Sequence, residues 1–189
     1  MLLLVGAAAC PGPAHRQEAL VDRDPLCQLV AGEVAAWTGL PARTTAALPA
    51  CLGPRTARSA TRFGGSLLLT DHHRPAPGVD VWIHAAASGG AIVLIEVRRA
   101  PALDGTAWTG ALGAPEATHR WGPDEHASAA AVTGPVDASV VDELVWGRRG
   151  LAVAVDHDRP AAVVRWRGFA PSTATAYLGE FVDVAPTPP

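Results

Sequence analysis

Val79-Asp80-Val81-Trp82-Ile83-His84-Ala85 and Ala91-Ile92-Val93-Leu94-Ile95-Glu96-Val97-Arg98-Arg99 flank Ser88-Gly89-Gly90. Two runs rich in aliphatic and aromatic residues across a Ser/Gly turn predict a β-hairpin. In the second run Ile92, Leu94, Glu96 and Arg98 alternate with Val93, Ile95, Val97 and Arg99. Its first half is apolar on both sides and its end is wet, which suits a central strand. Upstream, Ser66–Thr70 reads as a further strand, and downstream Gly150–Val155 and Ala161–Arg167 read as a second hairpin across Asp156-His157-Asp158-Arg159-Pro160. The expected sheet is antiparallel, with about five strands.

Helices bracket this sheet. Asp24-Pro25 is a start signal, because the carboxylate can cap and Pro fits the first helical position. Leu26, Leu29, Val30, Val34 and Trp37 then recur at helical spacing, which predicts a helix to about Trp37, closed by Gly39. Asp104–Leu112 reads as a short helix with Trp108 and Leu112 inward, and Asp137–Val145 as another, from the spacing of Val140, Val141, Leu144 and Val145. Gly113–Ala131 is rich in turn formers and reads as a long loop. Ser172 is placed to cap a final helix with Tyr177, Leu178 and Phe181 inward. The fold class is α+β: an N-terminal helix, an antiparallel sheet and a C-terminal helix.

At 189 residues and 49% hydrophobic content, the chain holds one domain with a real core. All 15 basic residues are Arg, and neither Lys nor Asn occurs, which reflects a GC-rich coding bias rather than phosphate recognition. A net charge of −3 argues against a nucleic-acid partner.

The first residues suggest a location. Leu2-Leu3-Leu4-Val5-Gly6-Ala7-Ala8-Ala9 is a short apolar run, Cys10 follows small residues, and Pro11–Arg23 is polar. This predicts a signal peptide over 1–9, acylation of Cys10, a tether over 10–23, a globular domain over 24–184 and a frayed tail over 185–189. The usual positively charged opening is missing, since no Arg or Lys precedes Arg16. The alternative is a cytosolic interaction domain in which Cys10 is an ordinary core residue. Three cysteines fit the export reading: one is lipidated, and Cys27 and Cys51 are left to pair. No C-x2-C pair supports zinc.

Taken in order, the apolar leader, Cys10, a Pro-containing spacer, Asp24-Pro25-Leu26-Cys27-Gln28-Leu29-Val30, a helix containing Glu33 and ending in Gly39, and a second cysteine are similar to small cell-envelope lipoproteins of actinobacteria. Several of these belong to families without a known activity. The likeness covers about the first 50 residues. It implies an α+β domain on the outer side of the membrane, held by its lipid alone, that binds a small ligand or assists another envelope protein.

A second motif points elsewhere. Leu67-Leu68-Leu69-Thr70 leads into Asp71-His72-His73, which resembles the signature of the DHH phosphoesterases, where such side chains help hold manganese and activate water. The further acidic motifs of that family are missing, so Asp71, His72 and His73 read instead as a solvated turn. Asp80 and His84 share a strand face and could join His72 and His73 at a metal; exposed edge residues are the simpler account. Arg55, Arg58 and Arg62 would line a helical turn able to receive an anion. No G-x-S-x-G, P-loop, H-E-x-x-H or dinucleotide motif occurs.

Trp37, Trp108 and Trp166 fit core positions, whereas Trp121 and Trp146 lie at the ends of expected elements, beside glycine and arginine. Exposed Trp next to Arg is typical of contact surfaces. The expected contact region is therefore His119, Trp121, Asp124, Glu125 and His126 together with Trp146, Arg148 and Arg149. The sequence thus reads as a non-catalytic envelope lipoprotein acting as a binding or accessory module, with no cofactor; the metal-dependent phosphoesterase is the alternative.

Overall fold

The computed structural model describes residues 24–63, 66–121 and 140–181. Cys10, the leader, the tether, the tail, Asp124, Glu125 and His126 lie outside the described residues. Among the described residues eight strands form a single antiparallel sheet: β1 (Arg55–Phe63), β2 (Ser66–Ala76), β3 (Val79–Ala86), β4 (Ile92–Asp104), β5 (Ala117–Trp121), β6 (Val141–Trp146), β7 (Leu151–Asp156) and β8 (Arg159–Phe169). Their spatial order is β1-β2-β3-β4-β8-β7-β6-β5. Two four-stranded meanders thus meet last strand to last strand, and the β4–β8 seam places Glu96 opposite Arg167 and Arg98 opposite Arg165. The α+β class is as expected, but the sheet is larger than about five strands.

The three added strands are informative. Arg55, Arg58 and Arg62 lie on β1, which pairs with β2, and not on a helical turn. Ala117–Trp121 is strand β5 inside the expected loop, and Val141–Trp146 is strand β6 instead of a helix, because Val141, Glu143 and Val145 face one way and Leu144 and Trp146 the other.

Helix α1 (Pro25–Ala31) begins as the sequence predicts: the Leu26 N–H donates to Asp24 Oδ1 at 2.9 Å, and Asp24 Oδ2 also accepts from Arg43 Nη1 at 2.8 Å. It stops at Gly32, whose φ of 87° is left-handed, earlier than Gly39. A 3-10 turn over Val34–Ala36 then carries Val34 and Trp37 to the core that Leu26 and Leu29 already occupy. The Cys27–Cys51 disulfide, with Cα atoms 5.9 Å apart, ties this helix to the turn at Ala50–Leu52.

Helix α1 and helix α2 (Thr106–Leu112) cover one face of the sheet. That apolar face presents Val81, Ile83, Ile95, Val97, Leu151, Val153 and Trp166. The Trp166 indole N–H donates to Leu29 O at 2.7 Å, and Trp108 meets the same ring edge-on. Gly168 permits this close approach, since a Cβ there would lie 2.6 Å from Leu29 Cδ2. Helix α3 (Ala174–Phe181) lies across the opposite face, with Tyr177 stacked on Phe169. Its first turn is capped by Thr173, whose hydroxyl accepts from the Ala176 N–H, and not by Ser172. Among the described residues no helix is long and apolar enough to cross a membrane.

Candidate functional site

The face opposite α1 is built from alternating positions that the strand register fixes. One row across the sheet reads Trp82, Glu96, Arg167, Ala152, Val145, Ala117; the next reads Asp80, Arg98, Arg165, Ala154, Glu143, His119. Ala152 and Ala154 are small, so the long side chains from β8 can reach over β7 toward Glu143 on β6. The result is a buried ionic network at the seam.

Its geometry is specific. Glu96 accepts from Arg98 Nε through Oε1 and from Arg167 Nε through Oε2, both at 2.8 Å. Glu143 accepts from the Trp121 indole through Oε2 at 2.8 Å, and from Tyr177 Oη at 3.0 Å and Arg167 Nη1 at 3.4 Å through Oε1. Arg167 Nη1 also donates to Tyr177 Oη at 3.2 Å. Glu96 is 1% exposed and Glu143 fully buried. Burial alone would push both carboxyls up; for Glu96 the charges of Arg98, Arg167 and Arg165 prevail and hold it well below the usual carboxylate range. For Glu143 the charges of Arg167 and Arg165, with the Trp121 and Tyr177 hydrogen bonds, have the same effect. Beside them His84 is fully buried, with Nδ1 2.9 Å from Thr70 Oγ1. Burial, with Arg167 and Arg98 nearby, brings its imidazole down to about 4, so it is neutral at pH 7.

Among the described residues, two carboxylates of this network face three guanidiniums, which leaves one positive charge in excess there. That excess falls on Arg165, because Arg98 and Arg167 are each hydrogen-bonded to Glu96. Arg165 Nη2 is 3.7 Å from Glu143 Oε1, an ion pair beyond hydrogen-bond distance, and its Nε and Nη2 are buried without a hydrogen-bond partner among the described residues. Its guanidinium sits 5.8 Å over the Trp121 ring, as that of Arg98 sits 5.0 Å over Trp82.

The predicted contact region is dispersed. Trp121 and Trp146 are 5% and 4% exposed, so neither is the exposed anchor expected. They also point to opposite faces of the sheet: Trp121 donates to Glu143 within the network, whereas Trp146 donates to Gly113 O on the other side. An indole N–H with an internal acceptor can be buried at an element end, and both have one. His119 meets Trp121 edge-on, and its Nε2 is buried without a hydrogen-bond partner among the described residues. Arg148 is exposed and its backbone N–H donates to Glu116; Arg149 donates to Ala35 O at 3.3 Å.

Asp71-His72-His73 lies within β2, and the solvated turn is not seen. Strand alternation puts Asp71 and His73 on one face and His72 on the other, so the three do not converge on one ion. Asp71 is buried and accepts from Arg58 Nε at 2.6 Å and Nη2 at 2.7 Å, which holds it below the ordinary carboxylate range. His73 Nδ1 lies 3.1 Å from Gly53 O. His72 stacks on Trp82, with Nε2 2.8 Å from Asp80 and Nδ1 3.0 Å from the Thr56 hydroxyl. Asp80 and His84 do share a face, yet Asp80 is taken by His72 and Arg74, and His84 meets Thr70. Among the described residues no three His, Cys, Asp or Glu side chains are grouped to hold a metal.

The network itself escaped the sequence reading. Its signal was present: Glu96 and Arg98 on one strand and Arg165 and Arg167 on another have the same two-residue spacing. The pairing of β4 with β8, which joins them, is remote in sequence. No known protein family, curated protein or solved structure matches the chain.

Proposed function

We propose that the protein is a non-catalytic binding module of the cell envelope, tethered through Cys10, and that the face of the sheet carrying the ionic network is its binding face. One observation carries this reading: among the described residues the network is buried, yet holds a positive charge in excess. Buried charges are expensive unless paired, and an unmatched one at the centre of a sheet is more economically explained by a ligand than by stability. The Cys27–Cys51 disulfide supports the location, since such bonds persist in oxidising compartments. The paired use of Asp71, His72 and His73 within strand β2 favours binding over the phosphoesterase alternative.

Two measurements test the two halves of the proposal. Expressed with its native upstream sequence in a GC-rich Gram-positive host, the mature chain should fractionate with membranes and begin at an acylated Cys10. A soluble cytosolic protein with an intact Met1 would remove the envelope location. For binding, a panel of small charged and neutral compounds should include some that raise the melting temperature and change Trp fluorescence while being recovered unaltered. A panel with no such compound would refute the module.

A further inference from the structure

We infer that Arg165 is an oxyanion-binding residue: its side-on N–H pair receives the two oxygens of a carboxylate or phosphate group carried by the ligand. This rests on the reading of the sheet face as a binding face, and names the chemistry of what it binds.

The argument begins with which atoms are unsatisfied. Nε–H and the Nη2 amino group form the side edge of a guanidinium, the edge that meets a carboxylate or phosphate through two parallel hydrogen bonds. Those two nitrogens of Arg165 are the ones buried without a hydrogen-bond partner among the described residues. The residue is 5% exposed. Unpaired buried N–H groups are rare in folded proteins and destabilising. A loss of one donor by chance would fall on any nitrogen; a whole recognition edge left open is a site.

The surroundings fit an anion. Arg98 is the direct cross-strand neighbour of Arg165, and like charges in that position repel. Both nearby carboxylates are already engaged: Glu96 by Arg98 and Arg167, and Glu143 by Arg167, Tyr177 and Trp121. Trp121 supports the guanidinium from beneath at 5.8 Å, so its plane is held without using an N–H. Burial, with Arg167 alongside, pulls the Arg165 guanidinium below its usual range, against the attraction of Glu96 and Glu143. Arg98 and Arg167 are unsuitable, since each already spends Nε on Glu96.

The test uses the full oxidised chain, labelled with 15N at arginine, and follows the Nε–Hε signals during separate titrations with sodium acetate and inorganic phosphate at constant ionic strength. Sodium chloride serves as the control, and loss of one signal in Arg165→Lys assigns the resonance. The Arg165 signal should move downfield and saturate with acetate, phosphate or both, and not with chloride; the more effective anion identifies the group. In Arg165→Lys, which keeps the charge and loses the two-pronged edge, the affinity read from Trp fluorescence should fall at least tenfold. A signal that follows chloride equally, or unchanged affinity in Arg165→Lys, would overturn the proposal. If Arg165→Lys fails to fold, the wild-type titration decides alone, with the signal assigned through its bond correlations to β8: no saturation by either anion refutes it. Neutral compounds that bind while neither anion does would sink the oxyanion site and leave the binding module standing.

Discussion

Arg167→Met removes the one side chain that bridges both buried carboxylates. Arg167 donates to Glu96 at 2.8 Å, to Glu143 at 3.4 Å and to Tyr177 at 3.2 Å. Without it Glu96 keeps Arg98, but Glu143 keeps only the neutral Trp121 and Tyr177 donors, with Arg165 3.7 Å away. Breaking a buried ion pair from one side typically costs about 3–5 kcal/mol, because a charge is left without compensation. At roughly 2–4 °C per kcal/mol for a chain of this size, the melting temperature should fall by about 6–20 °C at pH 7. The loss should also depend on pH. In the wild type both carboxyls are held low, so their contribution persists down to the unfolded-state value of 4.5 and is lost only below it. In the variant burial dominates at Glu143 and lifts its pKa above 4.5, so protonation relieves the strain as pH falls from 7 toward 5. Urea denaturation of the oxidised proteins at pH 7 and pH 5 measures both effects. A difference under about 1 kcal/mol at pH 7, or the same at both pH values, would refute the account of the network as a coupled, buried charge system.

Three further outcomes follow from single contacts. His84, brought from 6.5 to about 4 in the fold, should contribute fully above pH 6.5 and progressively less below it; between pH 6.5 and 5 the loss is about 2 kcal/mol, and His84→Gln should abolish this slope in a pH series of melts. Cys51→Ser opens a loop of 24-residue separation and should lower stability by about 3–4 kcal/mol in denaturant, with the linked Cys27 and Cys51 peptides recovered only from non-reduced wild-type protein. Gly168→Ala drives a Cβ against Leu29 and Trp37 and should cost about 1–3 kcal/mol by thermal melting, whereas Gly179→Ala, where a Cβ meets nothing within 4 Å, should be neutral or stabilising.

The hairpin around Ser88-Gly89-Gly90 was legible because β3 and β4 carry continuous aliphatic runs joined by glycines. The cap at Asp24-Pro25 and the Cys27–Cys51 pairing were legible for similarly local reasons. Strand β6 was not, because Glu143 occupies an inward position and breaks the apolar alternation, leaving Val140, Val141, Leu144 and Val145 to mimic a helix. Strand β1 was hidden by three arginines at helical spacing, two of which are drawn to Asp71 on the neighbouring strand. The candidate site suffered from the same cause. A charged residue reads as solvated unless its partner is known, and the partners of Glu96 and Glu143 arrive from β8 through long-range pairing.

The two meanders are joined, among the described residues, by the single ladder between β4 and β8, and this has a consequence for how the molecule persists over time. Within each meander the strands meet neighbours close in the chain, while the ladder unites Glu96 with Arg167, 71 residues apart. Closing so long a loop is entropically costly, so the halves acquire their own pairing early and dock late. The charges at the seam engage only on docking. Their removal should therefore leave the refolding limb of a chevron nearly unchanged and steepen escape from the native state, seen as a faster unfolding limb for Arg167→Met. The buried network then acts as a latch on lifetime: it sets how long the folded protein endures, and has little bearing on how fast it is made.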